Sequence, residues 1–268
     1  MTLLQAIILA VIQGVTEFMP ISSSGHLVLT RALIGITDIP LLFDLILHLG
    51  TVTATVIVYR KTIADILRDV GLRAIYRRGE RTEGSIRLFL YIIISTAITG
   101  IIGLLFKDRI EIVFLYPVTV SAFLIVTGLI LLTTRFVREG DREIEGARIH
   151  VPIVIGLVQS FAMLPGISRS GSTISAGLFM GLRRDLCGTY SFLLSIPSVF
   201  GASVLEYALS HSELYRQVGL PLVITAFVVS LVSGYFSLRL LLRFLKQGRL
   251  WVFSFYCILA GVSGFILQ

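Results

Sequence analysis

Charge is the scarcest property of this 268-residue chain: Asp, Glu, Lys and Arg make up 15% of it, against 55% hydrophobic residues. That is too little charge to solvate a globular surface, and a mean hydropathy of +0.91 points the same way. Cysteine is nearly missing. Only Cys187 and Cys257 occur, both in apolar surroundings, so neither a disulfide framework nor a zinc site is indicated and both are expected as small buried hydrophobes. No basic residue precedes the first apolar run, which leads straight into a polar motif, so the start of the chain does not read as a cleavable signal peptide. The net charge of +7 raises the question of nucleic acid. In a chain this apolar, basic residues have a plainer use in cytoplasmic loops, where they set orientation, and no nucleic acid partner is expected.

What the chain has in quantity is apolar sequence, in runs near the roughly 20 residues that cross a hydrocarbon core of about 30 Å. The fold class is therefore an all-α polytopic membrane protein whose solvent is the lipid bilayer, and 24 glycines suit close helix packing in lipid. Two polar stretches interrupt this pattern. Gln13 to His26 contains Glu17, Ser22, Ser23, Ser24, Gly25 and His26; 146 residues later, Gln159 to Thr173 contains Ser168, Arg169, Ser170, Gly171, Ser172 and Thr173. Superimposing the two places Ile21 to Gly25 on Ile167 to Gly171, with a proline just upstream in both, so the chain carries an internal repeat.

Each polar stretch lies between two apolar segments too short to span, which reads as a re-entrant helix pair. Such a turn is allowed at membrane depth only if it is buried in protein or lines a wet cavity. The resulting expectation is about ten helices and six crossings in one membrane domain. Repeat unit 1 covers 1–134, with a re-entrant pair at 2–36 and crossings at 41–59, 88–106 and 112–134. Repeat unit 2 covers 151–268, with a re-entrant pair at 151–182 and crossings at 187–209, 220–242 and 250–267. Residues 60–87 are expected as a loop, and a short turn is expected around Lys107 to Glu111. Three crossings per unit invert the second unit relative to the first, the plan of transporters whose sites lie at the midplane. One side then carries eight Lys or Arg at 60–87, four at 135–148, two at 183–184 and four at 239–249; the other has Arg31, Lys107, Arg109 and Arg216. The richer side is expected to face the cytoplasm, with both termini outward.

Gln13 and Glu17 share a face one turn apart, and Ser23 and His26 lie i,i+3 at the start of the next helix. Serines at both turns can cap helices whose free N–H groups and positive dipole ends bind anions. A guanidinium at Arg169 fits phosphate oxygens in a bidentate manner. Glu17 can hold a divalent cation or act as general base, and Ser23 and His26 are alternative nucleophiles. Structural alternatives exist for each: Ser-Gly turns satisfy freed backbone groups, Glu17 and Arg169 can form a plain ion pair, and His26 can cap a helix. The occurrence of all of them together, with complementary side chains in the two turns, favours function. Asp44 and His48, i,i+4 in the first crossing, line the same cavity, orient His26 or are purely structural. Glu206 reads as interfacial.

At these residues the chain resembles the undecaprenyl pyrophosphate phosphatase family of bacterial inner-membrane enzymes, which confer bacitracin resistance. The resemblance covers nearly the whole chain and rests on Gln13 to His26 and on Pro165 to Thr173. It implies hydrolysis of the C55 polyprenyl diphosphate to monophosphate plus phosphate, recycling the lipid carrier of peptidoglycan synthesis, at a site opening to the periplasm. It maps catalytic roles onto Glu17, Ser23, His26 and Arg169. The phosphate would sit among Ser22, Ser24, Gly25, Ser168, Ser170, Gly171 and Thr173. The implied cofactor is Mg2+ or Ca2+, at Glu17 and Gln13, although many relatives have glutamate where this chain has Gln13. A homodimer is left open, and the alternative function is a transporter or lipid flippase, which needs binding groups but no nucleophile.

Overall fold

The computed structural model describes residues 1–36, 41–73, 80–138, 140–209 and 219–266. Among them are ten α-helices and no strand: α1 Leu3–Phe18, α2 Ser23–Ile34, α3 Leu41–Arg73, α4 Glu80–Val113, α5 Pro117–Thr133, α6 His150–Phe161, α7 Arg169–Phe179, α8 Arg184–Leu209, α9 Leu220–Lys246 and α10 Val252–Ile266. Five segments are long and apolar enough to cross a bilayer: Phe43–Gly71, Glu83–Val113, Pro117–Phe136, Arg184–Val204 and Leu220–Lys246. The expected crossing at 250–267 is a helix of 15 residues, about 22 Å at 1.5 Å per residue, shorter than the hydrocarbon core; its last residues lie outside the described ones. The helices flanking the two polar stretches are 11 to 16 residues long and also too short to span.

Two expectations about loops are corrected. Residues 60–87 are mostly helix: α3 runs on through Arg73 and α4 starts at Glu80, with residues 74–79 outside the described ones. The turn expected at Lys107 to Glu111 is likewise helical, with Lys107 and Glu111 paired at 3.4 Å, and the helix ends only at Val113. Charge ends a membrane crossing without ending a helix, because beyond the hydrocarbon a helix can continue on i,i+4 pairs such as Glu83–Arg87. Arg216 lies outside the described residues, as does the Glu206 side chain.

Small residues set the helix contacts. Gly14 of α1 lies so close to α9 that an added Cβ would meet Gly234 N and Ser230 O at 2.8 Å, and Ser237 Oγ donates to the Val15 carbonyl at 2.7 Å. Gly261 of α10 is in the same position against α5, where a Cβ would lie 2.6 Å from Ser121 O. Across the molecule, Ser95 Oγ of α4 donates to Pro152 O of α6 at 2.7 Å. In lipid, where apolar burial gives no drive for helices to associate, backbone approach of this kind and interhelical hydrogen bonds supply it. Pro197 lies inside α8, and Cys187 and Cys257 are buried free thiols.

Candidate active site

Glu17 lies in the last turn of α1 and is 8% exposed, while Ser22 opens α2 as its N-cap. Between them the chain turns through Pro20. Ser22 has φ +68°, the one positive φ at a non-glycine residue among those described. That conformation costs about 1 kcal/mol or more and persists only where surrounding contacts hold it. Here they do: Ser22 Oγ accepts from Gly25 N at 3.3 Å and, across the two halves of the chain, from Gly166 N at 3.1 Å. Ser168 caps α7 in the same way, accepting from Gly171 N at 3.1 Å, and Ser170 Oγ donates to the Phe18 carbonyl at 3.2 Å. An added Cβ on Gly25 would lie 3.0 Å from Gly166 Cα, and one on Gly171 would lie 3.2 Å from Pro20 Cβ. The two polar turns therefore touch, and α2 and α7 both begin where they meet.

Glu17 is the hub of the site. Ser23 Oγ donates to its Oε2 at 2.6 Å, Gln13 Nε2 donates to the same oxygen at 3.0 Å, and Arg169 Nη2 donates to Oε1. His48 Nδ1 lies 2.9 Å from Gln13 Nε2 and 3.4 Å from Glu17 Oε2. The ion pair considered as the structural alternative thus exists, but the guanidinium is not used up. Arg169 Nη1 and Gln13 Oε1, on either side of the Glu17 carboxylate, are both buried without a partner. Buried polar atoms are seldom left unpaired, so two on one carboxylate's partners mark a place for a polar ligand.

The expected site residues divide into two groups. Glu17, Ser23 and Arg169 come together. The hydroxyls of Ser22, Ser168 and Ser170 are turned to the scaffold, as is Thr173 Oγ1, which donates to Arg169 O at 2.8 Å and lies 2.7 Å from Ser191 Oγ. Ser24 Oγ is 3.3 Å from Ser22 Oγ. His26 faces away from Glu17: Nδ1 is 2.8 Å from Ser22 O, and Nε2 is 2.7 Å from Tyr256 Oη. Asp44 and His48 do not orient His26. Asp44 pairs with Arg31, and His48 joins Gln13 and Glu17. Tyr256 was invisible to sequence reasoning because it sits 230 residues from its partner, in the last helix.

The donors available to a divalent cation are oxygens: Glu17, the unpartnered Gln13 Oε1 and Ser23 Oγ. Among the described residues there is no group of three or more His, Cys, Asp or Glu that would hold one alone. One carboxylate with neutral oxygens fits a hard cation that shares its coordination with substrate phosphate, as Mg2+ commonly does.

The family model described as bacitracin resistance protein BacA matches residues 6–263. The chain is 42% identical over 270 residues to a protein of Desulfosudis oleivorans named undecaprenyl-diphosphatase, covering 97% of both chains. It is 39% identical over 263 residues to one of the same name from Treponema denticola, covering 98% of this chain and 96% of the relative. With undecaprenyl-diphosphatase 1 of Shouchella clausii it shares 38% over 271 residues, covering all of this chain and 97% of the relative.

Proposed function

The chain belongs to the BacA family of bacitracin resistance proteins, and on that premise we propose that it is an integral membrane undecaprenyl-diphosphatase, hydrolysing the C55 lipid diphosphate to the monophosphate and inorganic phosphate. The observation that carries this is the Ser23 hydroxyl at 2.6 Å from Glu17 Oε2, with Arg169 on the other carboxylate oxygen. A hydroxyl, its base and a phosphate-binding cation are then within one side-chain length of each other. A transporter needs the cation but has no use for the activated hydroxyl.

Ser23 is the better nucleophile of the two candidates because both ring nitrogens of His26 are already bonded. Substrate phosphate binds Arg169 through the unpartnered Nη1 and draws the guanidinium off Glu17. Ser23 Oγ attacks the terminal phosphorus and its proton passes to Glu17. The bond from that phosphorus to the bridging oxygen breaks, and the oxygen leaves with the lipid monophosphate. Water then attacks the phosphoserine phosphorus: the P–Oγ bond breaks, Ser23 Oγ takes back the proton held by Glu17, and the water oxygen leaves with its protons as inorganic phosphate. The N-termini of α2 and α7, meeting at the turns, add positive potential where charge accumulates. Glu17, Gln13 Oε1 and Ser23 Oγ would hold Mg2+ or Ca2+ together with the substrate, and the ion would supply further neutralisation of phosphate charge.

The finer topology belongs to the same proposal. The two halves are inverted repeats with re-entrant helix pairs α1–α2 and α6–α7. What supports this is reciprocal packing: α1 lies on α9 as α6 lies on α4, and α5 lies on α10, its own counterpart. The protein resides in the bacterial inner membrane and the site opens to the periplasm. The functional test is phosphate release from undecaprenyl or farnesyl diphosphate by purified protein in detergent. Release that requires Glu17 and Arg169 is expected, and none with any divalent cation would overturn the assignment.

A further inference from the structure

Tyr256 is brought to the site by helix packing alone. The glycine seam between α5 and α10 fixes its depth, since a Cβ on Gly261 or on Gly128 would run into the backbone of the facing helix at 2.6 Å and 2.9 Å. Its neighbour Cys257 is fully buried, with Sγ 3.7 Å from Pro20 O in the first polar turn. That leaves the phenol lying over His26, with ring centroids 5.5 Å apart and planes within 9°, and Oη at 2.7 Å from Nε2.

The two hydrogen bonds of His26 fix its tautomer. The Ser22 carbonyl can only accept, so the proton on the ring must sit on Nδ1 to donate to it at 2.8 Å. A neutral ring then has its lone pair on Nε2, and the Tyr256 hydroxyl donates to it. The same Ser22 carbonyl also accepts the His26 backbone N–H at 3.2 Å, and Ser22 is the residue held at φ +68°. A hydrogen-bonded chain therefore runs from Tyr256 through His26 to the strained residue that immediately precedes Ser23.

We infer that Tyr256 is a positioning residue: with the Ser22 carbonyl setting the Nδ1–H tautomer, the Tyr256 hydroxyl anchors Nε2 and so fixes the His26 ring, which holds the Ser22 turn and keeps Ser23 Oγ on Glu17. This rests on the phosphatase reading for its kinetic consequence but not for its spectroscopic one. Imidazoles are held in this way in other sites, where hydrogen bonds to the two ring nitrogens set both the tautomer and the ring orientation.

The test is Tyr256→Phe, which keeps the stacked ring and removes only the hydroxyl. With four histidines in the chain, 15N-histidine NMR of the detergent-solubilised protein resolves His26, assigned by its loss in His26→Gln. The wild type is expected to show an unprotonated, hydrogen-bonded Nε2 and a protonated Nδ1; Tyr256→Phe is expected to lose the Nε2 hydrogen-bond shift while Nδ1 stays protonated on the Ser22 carbonyl. For phosphate release, kcat is expected to fall roughly tenfold with KM within about twofold, the size of one lost hydrogen bond acting on geometry rather than on binding. A His26 spectrum unchanged in Tyr256→Phe, or an unchanged kcat, overturns the role. Absence of phosphatase activity in the wild type sinks the enzymatic reading instead, and the NMR comparison still decides the positioning.

Discussion

The backbone amide of Gly166 donates to the hydroxyl of Ser22 at 3.1 Å, across 144 residues of sequence. That bond ties the two polar turns into one unit, and it explains why neither is tolerant of bulk. Gly25 has no room for a side chain, since Gly166 Cα and N would lie 3.0 and 3.2 Å from its Cβ and both are backbone atoms that cannot turn aside. Gly25→Ala is expected to push the turns apart by a few tenths of an ångström and lower kcat by about ten- to a hundredfold, because reacting groups misplaced by up to 1 Å lose that much. Gly100→Ala on α4, with nothing within 4 Å, is the matched control, and its phosphate release should equal that of the wild type.

Glu17 and Arg169 should differ from ordinary catalytic residues in how their removal affects folding. Either alanine substitution is expected to reduce turnover about a thousandfold or more, as loss of a charge-stabilising group does. Glu17→Ala alone also strands a guanidinium whose side chain is 19% exposed, whereas the double substitution removes both charges. Breaking a buried pair costs about 3–5 kcal/mol while replacing both partners is near neutral. The double variant is therefore expected to survive heating in detergent better than Glu17→Ala, although both are inactive. A double variant less heat-stable than Glu17→Ala would contradict this.

Ser23 and His26 can be separated as nucleophiles by the chemistry of the trapped intermediate. Acid quenching during turnover of terminally labelled substrate is expected to leave acid-stable phosphate on the protein, as for phosphoserine. The label should disappear in Ser23→Ala and persist, in reduced amount, in His26→Gln. Acid-labile label that survives Ser23→Ala would instead make His26 the nucleophile.

Much of this site could be read from sequence because its chemistry is concentrated in two short stretches. Glu17, Ser23 and Arg169 are intramembrane polar residues with a cost, and such residues advertise themselves. What could not be read depends on packing. Tyr256 resembles any interfacial aromatic until α10 is placed on α5. His48 and Asp44, one turn apart on α3, face different partners, Gln13 and Arg31, for reasons set by the neighbouring helices. The lengths of α3 and α4 were obscured because their charged ends look like loop to a hydropathy pattern. Lys107 and Glu111 stand in helix all the same.

Gln13 bears on the cation. Its Nε2 donates to Glu17 Oε2 at 3.0 Å, so an amide here neutralises nothing but satisfies the carboxylate without metal. Gln13→Glu replaces that donor with a second carboxylate at the same distance. Two like charges so close repel strongly unless a cation lies between them, and a hard divalent ion with two carboxylates binds more tightly than with one. Without divalent cation the variant is expected to lose heat stability relative to the wild type. On addition of Mg2+ it should regain that stability, and it should reach half-maximal phosphate release at a concentration about tenfold lower, equivalent to ~1.4 kcal/mol of added cation affinity. Chelation should abolish activity in both proteins but lower thermal stability only in Gln13→Glu. An unchanged Mg2+ requirement in the variant would mean that the cation is held by substrate oxygens without help from position 13.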